Sequence, residues 1–333
     1  MPNTTQIVLP GLFDLPLDEL PTGFVEKRLT WLNHILRFAA HRANQAYTLD
    51  AILSKALSLP ENKPGGLPMA NAFVENGGRD HMLVQPVHLR PDLSSALVVP
   101  IERNSRNLSD IGVLLKDLGN LFCEDFELNE ISENLFLMRL ESTGAPTHYP
   151  HVLSVLGKSA KPYIEQSREN LDWYRLLNEM QMYLHQHAIN QQRFVEGLLP
   201  INSLWCWGGG PIPQQETATA WYCDDLVLHR FGDSLGLPAE KLRKISDRDH
   251  EQDAIIIDLR LLEATKSGVA VALDEMLLDI EQNILAMVVP MARGKVCLRA
   301  GFEFDFNLNP GDRYKFWRTR RNLADWQWSA QAF

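Results

Sequence analysis

The pattern of apolar and polar positions changes repeatedly along this chain, and the changes predict strands that alternate with helices. The apolar run at residues 7–9 stops at Pro10-Gly11, which is typical of a buried strand that runs into a loop. Residues 24–38 then repeat their apolar side chains at helical spacing. This strand–loop–helix opening indicates an α/β fold.

The middle of the chain predicts a hairpin and two helices. Residues 81–89 and 95–101 read as paired strands, and the segment from Ser109 reads as an amphipathic helix. Residues 135–140 form a further predicted strand. The segment 167–187 carries two apolar stripes, so we expect a helix that is buried on two sides.

The last third again alternates strands with helices. Strands are predicted at 203–207, 217–223 and 253–259, and a helix at 269–289. This alternation favours a mainly parallel sheet. Residues 295–308 alternate apolar and polar side chains, which predicts one final strand at an edge of the sheet.

Composition narrows the classes of function. The chain has 333 residues, 45% of them hydrophobic, which is enough for two domains. A net charge of -10 disfavours broad binding to nucleic acid or to an anionic membrane, although a local basic patch is compatible with it. The four cysteines form no C-x-x-C pair, and no run of eighteen apolar residues occurs. These features predict a cytoplasmic protein with no membrane partner.

Two stretches resemble the archaeal-type cofactor-independent phosphoglycerate mutases of the alkaline phosphatase superfamily. Residues 10–16 resemble their D-G-x-x-D-x-P loop. Residues 187–202 resemble their H-P-x-N-x-x-R-x-x-x-G-x-x-P-x-N segment, and a glycine turn follows. The amino-acid sequence of this second stretch is also similar to that of a bacterial family of mutase-like or regulatory proteins, which is distantly related to the mutases.

The resemblance implies a fold and a domain order. It predicts a phosphatase-like α/β core, with a sheet flanked by helices, formed by residues 1–88 and 211–333. A smaller inserted α+β domain is expected at residues 89–210.

The resemblance also allows the catalytic residues of the mutases to be compared with the residues at the matching positions of this chain. The mutases hold two metals with Asp and His ligands and form a phosphoserine intermediate, and two metals stabilise both the attacking and the leaving oxygen. The leading Asp of their first loop falls on Pro10, and residues 59–93 contain no Ser or Thr. Their D-x-x-G-H signature follows a strand similar to residues 253–259, but no histidine occurs after His250. We therefore expect no catalytic residue, no metal and no cofactor.

The second stretch supplies candidate ligand-binding residues. Asn and Arg side chains there suit a small phosphorylated ligand, but they equally suit a structural role in which they bind loop carbonyls. The glycine turn could cradle a phosphate, although Pro211 and Pro213 prevent the helix that normally follows such a turn. Two further polar residues lie on the third face of the long helix, which is either a solvated strip or a pocket wall. The candidates are Asn178, His185, His187, Asn190, Arg193, Asn202, Gly208, Gly209 and Gly210.

The C-terminal segment 311–321 interleaves cations with aromatic residues. That pattern suits docking of a protein or stacking against nucleic-acid bases, and it also suits a packed final element with its arginines in water. The candidate partner-binding residues are Arg313, Tyr314, Lys315, Phe316, Trp317, Arg318, Arg320 and Arg321.

Three functions follow from the sequence. The leading hypothesis is a catalytically degenerate mutase relative that acts as a binding or regulatory protein, with a small phosphorylated ligand or a protein as its partner. The first alternative is an active phosphomutase or phosphatase with a metal site rebuilt around Asp14, His229 and His250. The second alternative is a scaffold that docks protein or nucleic acid through the C-terminal segment.

Overall fold

The computed structural model describes residues 3–43, 48–59, 66–74, 80–92, 95–141, 146–213, 219–267, 272–301, 304–315, 317–318 and 321–330. Within them lie twelve strands: β1 Thr4–Val8, β2 Ala40–Ala43, β3 His81–Asp92, β4 Ser95–Pro100, β5 Phe126–Ser132, β6 Leu135–Leu140, β7 Ser203–Trp207, β8 Ala220–Cys223, β9 Ala239–Glu240, β10 Ala254–Ile257, β11 Lys295–Arg299 and β12 Phe304–Leu308. The same residues contain the α-helices α1 Phe24–Arg28, α2 Thr30–Phe38, α3 Leu49–Ala56, α4 Ser105–Leu121, α5 Lys161–Ser167, α6 Leu171–Gln186, α7 Ala188–Val195, α8 Leu226–Ser234, α9 Arg260–Ser267, α10 Leu273–Asp279, α11 Ala286–Val288 and α12 Leu323–Ala330.

The chain divides into two units, residues 1–60 with 214–333 and residues 61–213. The sequence-based boundary at residue 88 falls inside β3, which pairs with β4, β6 and β7 and so belongs wholly to the second unit. The return boundary at 213 lies three residues beyond the expected one at 210.

The first unit is built on a seven-stranded sheet in the order β2-β12-β11-β1-β10-β8-β9. Its strands from β11 to β9 are parallel, and β12 runs antiparallel to both β11 and β2. All four residues of β10, Ala254–Ile257, are buried, as expected for a central strand of a parallel sheet that is covered on both faces.

The second unit is an antiparallel sheet with helices. Its strands follow the order β4-β3-β6-β5, and β7 also pairs with β3. Trp205 and Trp207 of β7 are buried, with 4% and 1% of their surfaces exposed, and so belong to the core of this unit.

Three element predictions need correction. Residues 24–38 form two helices because Leu29, with φ −101° and ψ 65°, leaves the helical region. Residues 295–308 form two antiparallel strands, β11 and β12, and β12 lies inside the sheet because β2 pairs with its other side. The helix predicted from Ser109 begins at Ser105, because Asn104 accepts a hydrogen bond from the Asn107 N–H at 2.9 Å and caps it.

Candidate functional site

The loop after β1 packs against the first turn of α9. Gly11 has φ +87°, and a Cβ built on it would lie 2.8 Å from the main-chain nitrogen and Cα of Leu262. A residue with a side chain would therefore clash with α9 and would also strain the backbone. The loop thus places Pro10, where the mutases have an aspartate, next to the carboxyl ends of β1 and β10.

Asp258 and Arg260 form a closed ion pair immediately after β10. Asp258 is 2% exposed. The Arg260 Nε lies 3.0 Å from each carboxylate oxygen of Asp258, and its second terminal nitrogen lies 2.6 Å from Oδ2. Oδ1 also accepts the Arg260 main-chain N–H at 3.0 Å. Both oxygens of this buried carboxylate are therefore bound by one arginine.

A second carboxylate completes the arrangement. The same terminal nitrogen of Arg260 lies 2.6 Å from Oδ2 of Asp279, whose side chain is 41% exposed. Hydrogen bonds to Asp258 raise the pKa of Arg260 and outweigh burial, which lowers it, so the guanidinium stays charged. Burial raises the pKa of Asp279, but hydrogen bonds from Asn283 and Arg260 outweigh it, and the net shift is downward. A fixed cation thus lies between two carboxylates.

The sequence analysis did not predict this ion pair. The signal was present in part, because an arginine two residues after a strand-ending aspartate can fold back onto it. Asp279 lies nineteen residues further on and could be placed beside Arg260 only by the fold.

The fallback metal ligands are not brought together. Asp14 is exposed in the loop after β1. His229 lies in α8, where its Nδ1 is 3.5 Å from Asp233, and His250 accepts a hydrogen bond from the Arg248 Nε at 3.2 Å. Over the part of the chain that the structure describes, no three His, Cys, Asp or Glu side chains form a group that could hold a metal ion. Asp14, His229 and His250 therefore do not meet in such a group among these residues.

Asn190 and Arg193 of α7 are the best-buried candidates in the second unit. The Asn190 side chain donates to the carbonyls of Leu184 and Ile201 at 2.7 and 2.8 Å and accepts the Ile201 N–H at 2.8 Å. It therefore closes the loop that follows its own helix.

Arg193, 1% exposed, ties α7 to α4. Its guanidinium lies 2.6 Å from Asp110 and 2.8 Å from the Asn107 side-chain oxygen, and it donates twice to the Leu199 carbonyl at 2.7 and 2.9 Å. These contacts favour the structural interpretation of both residues over the ligand-binding one.

Other candidates in this stretch also bind the chain itself. Asn202 exchanges two hydrogen bonds with the main chain of Leu89, at 2.7 and 3.0 Å. His187 caps α7 by accepting the Ile189 N–H at 3.2 Å, and its Nε2 lies 3.3 Å from Asp117. Their polar atoms hold elements in register.

Asn178 and His185 lie on α6 as expected, but they do not form a pocket wall with the other candidates. Asn178 donates to the Tyr174 carbonyl of its own helix at 2.8 Å, and His185 is exposed. This face of α6 is best described as a solvated strip.

The glycine turn is buried rather than open to a phosphate. Gly208, Gly209 and Gly210 are all buried. The Gly208 carbonyl accepts the Ala70 N–H at 3.0 Å, and the Gly210 carbonyl accepts the Asn71 side-chain amide. The turn therefore serves to pack against residues 69–71.

The C-terminal segment is split between internal and exposed residues. Arg318 donates to the carbonyls of Phe38 and Ala39, and Arg321 lies 5.0 Å from the centre of the Trp326 ring. Tyr314 and Trp317 are 65% and 70% exposed. Lys315 pairs with the neighbouring Asp312. Phe316, Arg320 and the side chain of Arg313 lie outside the described residues.

Comparison with known proteins agrees with the resemblance seen in the sequence. No protein-family model matches the chain. A 2,3-bisphosphoglycerate-independent phosphoglycerate mutase of Methanosarcina barkeri is 30% identical over 84 residues, which are 25% of this chain and 21% of the mutase. The chain is a distant relative of these mutases. The match spans about a fifth of that mutase, so the activity of the whole enzyme is not transferred by it.

A solved structure shares the fold over most of its length. The PH0037 protein of Pyrococcus horikoshii superposes with a TM-score of 0.53 and 12% identity, covering 96% of this chain and 90% of that one. A cofactor-independent phosphoglycerate mutase of Thermoplasma acidophilum gives a TM-score of 0.40, with 15% identity and coverage of 93% and 90%. The superposition on the PH0037 protein confirms the predicted α/β fold. In the described residues no helix is long and apolar enough to cross a membrane.

Proposed function

We propose that this chain is a catalytically inactive relative of the cofactor-independent phosphoglycerate mutases and acts in the cytoplasm by binding. The observation that carries the proposal is the Arg260 guanidinium, which engages both carboxylate oxygens of the buried Asp258. A carboxylate whose two oxygens both bind a guanidinium is a poor ligand for a metal ion, because the arginine already supplies the positive charge that a metal would bring.

The residues around the pair support the same conclusion. Aligning the D-x-x-G-H signature on Asp258 places the histidine on Leu262, which is fully buried. The leading aspartate of the first loop is replaced by Pro10, which has no donor atom. The remaining carboxylates do not match the mixed Asp and His donor set of the mutases, so the residues present do not fit their metals.

Conversion between 2- and 3-phosphoglycerate tests the proposal. The purified chain would be assayed with Mn²⁺, Mg²⁺ and Zn²⁺ in turn, with the M. barkeri mutase as the positive control. We expect no conversion above the buffer background. Turnover that is abolished when Arg260 or Asp258 is substituted would show that these residues form an active site and would refute the proposal.

A second candidate, docking of a partner through the C-terminal segment, is favoured by the exposure of Trp317 and Tyr314. Exposed Trp and Tyr side chains are frequent anchors of interfaces and of stacked bases. Fluorescence titration with a single-stranded oligonucleotide, comparing wild type with Trp317→Ala, tests the nucleic-acid version. We expect a salt-sensitive signal that requires Trp317; a signal that survives the substitution would exclude this segment as the docking site.

A further inference from the structure

Arg248 is a buried arginine that forms no ion pair with any residue the structure describes. It lies just after the 3₁₀ turn Leu242–Asp247 and is 5% exposed. Its NH1 donates to the Thr5 hydroxyl at 3.1 Å and its Nε donates to the His250 Nδ1 at 3.2 Å. Its NH2 is buried and has no hydrogen-bond partner, and among the described residues no carboxylate lies within ion-pair distance of the guanidinium.

Such an arrangement is costly for the chain alone. Removing a charged group from water is strongly unfavourable, and buried charges in proteins are normally paired. Burial lowers the pKa of Arg248, and the nearby Tyr222 and Asp249 raise it only in part. An arginine still stays charged, so a buried guanidinium with an unused NH2 is a ready binding group for an anion.

The neighbours of the guanidinium can themselves donate hydrogen bonds. Thr5 accepts from Arg248 and so keeps its own hydroxyl hydrogen to give. The His250 Nδ1 accepts as well, which leaves its Nε2–H as a donor. Three acidic residues, Glu240, Asp247 and Asp249, act electrostatically on the nearby Tyr222, so the guanidinium has to outweigh their repulsion of an anion.

This place is distinct from the Asp258 pair. Thr5 pairs with Ala254 at the amino ends of β1 and β10, whereas Asp258 follows the carboxyl end of β10. Four residues of extended strand separate the two levels, about 13 Å at the usual rise per residue.

We propose that Arg248, with Thr5 and His250 beside it, binds a small oxyanion, a phosphate or carboxylate group, with Arg248 NH2 as its principal donor. The inference is independent of the proposed function, because it concerns the opposite end of the sheet.

Binding of inorganic phosphate tests the inference directly. Phosphate would be titrated into the full-length chain at constant ionic strength set with NaCl, and saturation would be followed by equilibrium dialysis and by the melting temperature. A parallel titration with formate separates a general oxyanion site, which binds both, from one selective for phosphate. We expect saturable binding of at least one of the two at one site per chain.

Variants locate the site. Arg248→Met should weaken binding by about tenfold or more, because it removes the charged donor. Arg243→Met, at an exposed position of the same 3₁₀ turn, should leave binding unchanged. If Arg248→Met does not fold, Thr5→Val, which keeps the shape but loses the hydroxyl, should still weaken binding severalfold. Absence of saturable binding by wild type, or binding that these variants leave intact, would overturn the inference.

Discussion

Substituting Arg260 with methionine tests the energetic role of the Asp258 pair. Methionine keeps much of the length and apolar stem of arginine but removes the guanidinium. Asp258, whose side chain is 1% exposed, would then remain buried with no cation beside it. Because a buried carboxylate without a partner is strongly unfavourable, the folded state should lose stability.

The expected magnitude follows from the geometry. Breaking a fully buried ion pair costs about 3–5 kcal/mol. Arg260 is 41% exposed, so solvent screens part of the interaction, and water can partly replace the guanidinium in the variant. We therefore expect a loss near the lower end of that range, about 3 kcal/mol.

Urea denaturation followed by circular dichroism measures this loss as a change in the free energy of unfolding. Asp279→Asn, which removes the exposed carboxylate partner, is the matched control and should cost less than about 1 kcal/mol. In the double variant Asp258→Asn with Arg260→Met, the loss should be smaller than the sum of the single losses, because the two residues interact directly. A free energy for Arg260→Met within about 0.5 kcal/mol of wild type would refute the reasoning.

Three further predictions concern positions outside this pair, and each is read from the urea midpoint and slope. Arg193→Met should destabilise by about 3 kcal/mol, because the buried Asp110 carboxylate keeps only the half-exposed Arg106 as a partner and the Leu199 carbonyl loses both of its arginine donors. Arg175→Met, at an exposed site, should change stability by less than about 0.5 kcal/mol. Equal effects would contradict the structural role of Arg193. Burial raises the pKa of Glu281 above its usual 4.5, partly offset by main-chain N–H donors at the start of α2. The contribution of Glu281 to stability is therefore fully present below pH 4.5 and is lost as pH rises through the raised pKa. The free energy of unfolding of wild type relative to Glu281→Gln should fall over that pH window. A difference that does not depend on pH would contradict the shift in pKa. Gly208→Ala should destabilise the chain by about 1–2 kcal/mol, because the φ of Gly208 is +76°. Gly112→Ala should stabilise it by about 0.5–1 kcal/mol, because Gly112 lies inside α4 and its Cβ would meet open space. The reverse order would contradict the described conformation of the glycine turn.

Local signals predicted many of the elements correctly. Strands β6 and β7 match their predicted bounds because Pro, Gly or charged residues flank each apolar run. The pattern predicts a single strand at residues 295–308 because apolar and polar side chains alternate in phase through the whole segment. Nothing in that pattern marks where the chain reverses its direction. The predicted edge position was wrong for a different reason. The strand that covers this edge, β2, is short and has no apolar alternation that would reveal it in the sequence.

The site could be predicted only in part, because its partners are distant in sequence. The missing histidines and Pro10 are visible in the sequence alone, and the hypothesis of a catalytically inactive chain is based on them. The spacing of Asn190 and Arg193 carries the family resemblance, but it does not reveal that Asp110 and the Leu199 carbonyl already bind Arg193. Likewise, Arg248 looks like part of a solvated charged loop in the sequence, and only the fold buries it against Thr5.

If Arg260 takes the place of the mutases' metal ions, the chain should bind none of them tightly, and its metal content tests this most directly. The chain would be purified after growth and dialysis with Mn²⁺, Mg²⁺ and Zn²⁺ and analysed by mass spectrometry, with the M. barkeri mutase treated in parallel. We expect far less than one tightly bound metal ion per chain. One or two metal ions per chain, lost when Asp258 is replaced by asparagine, would contradict it.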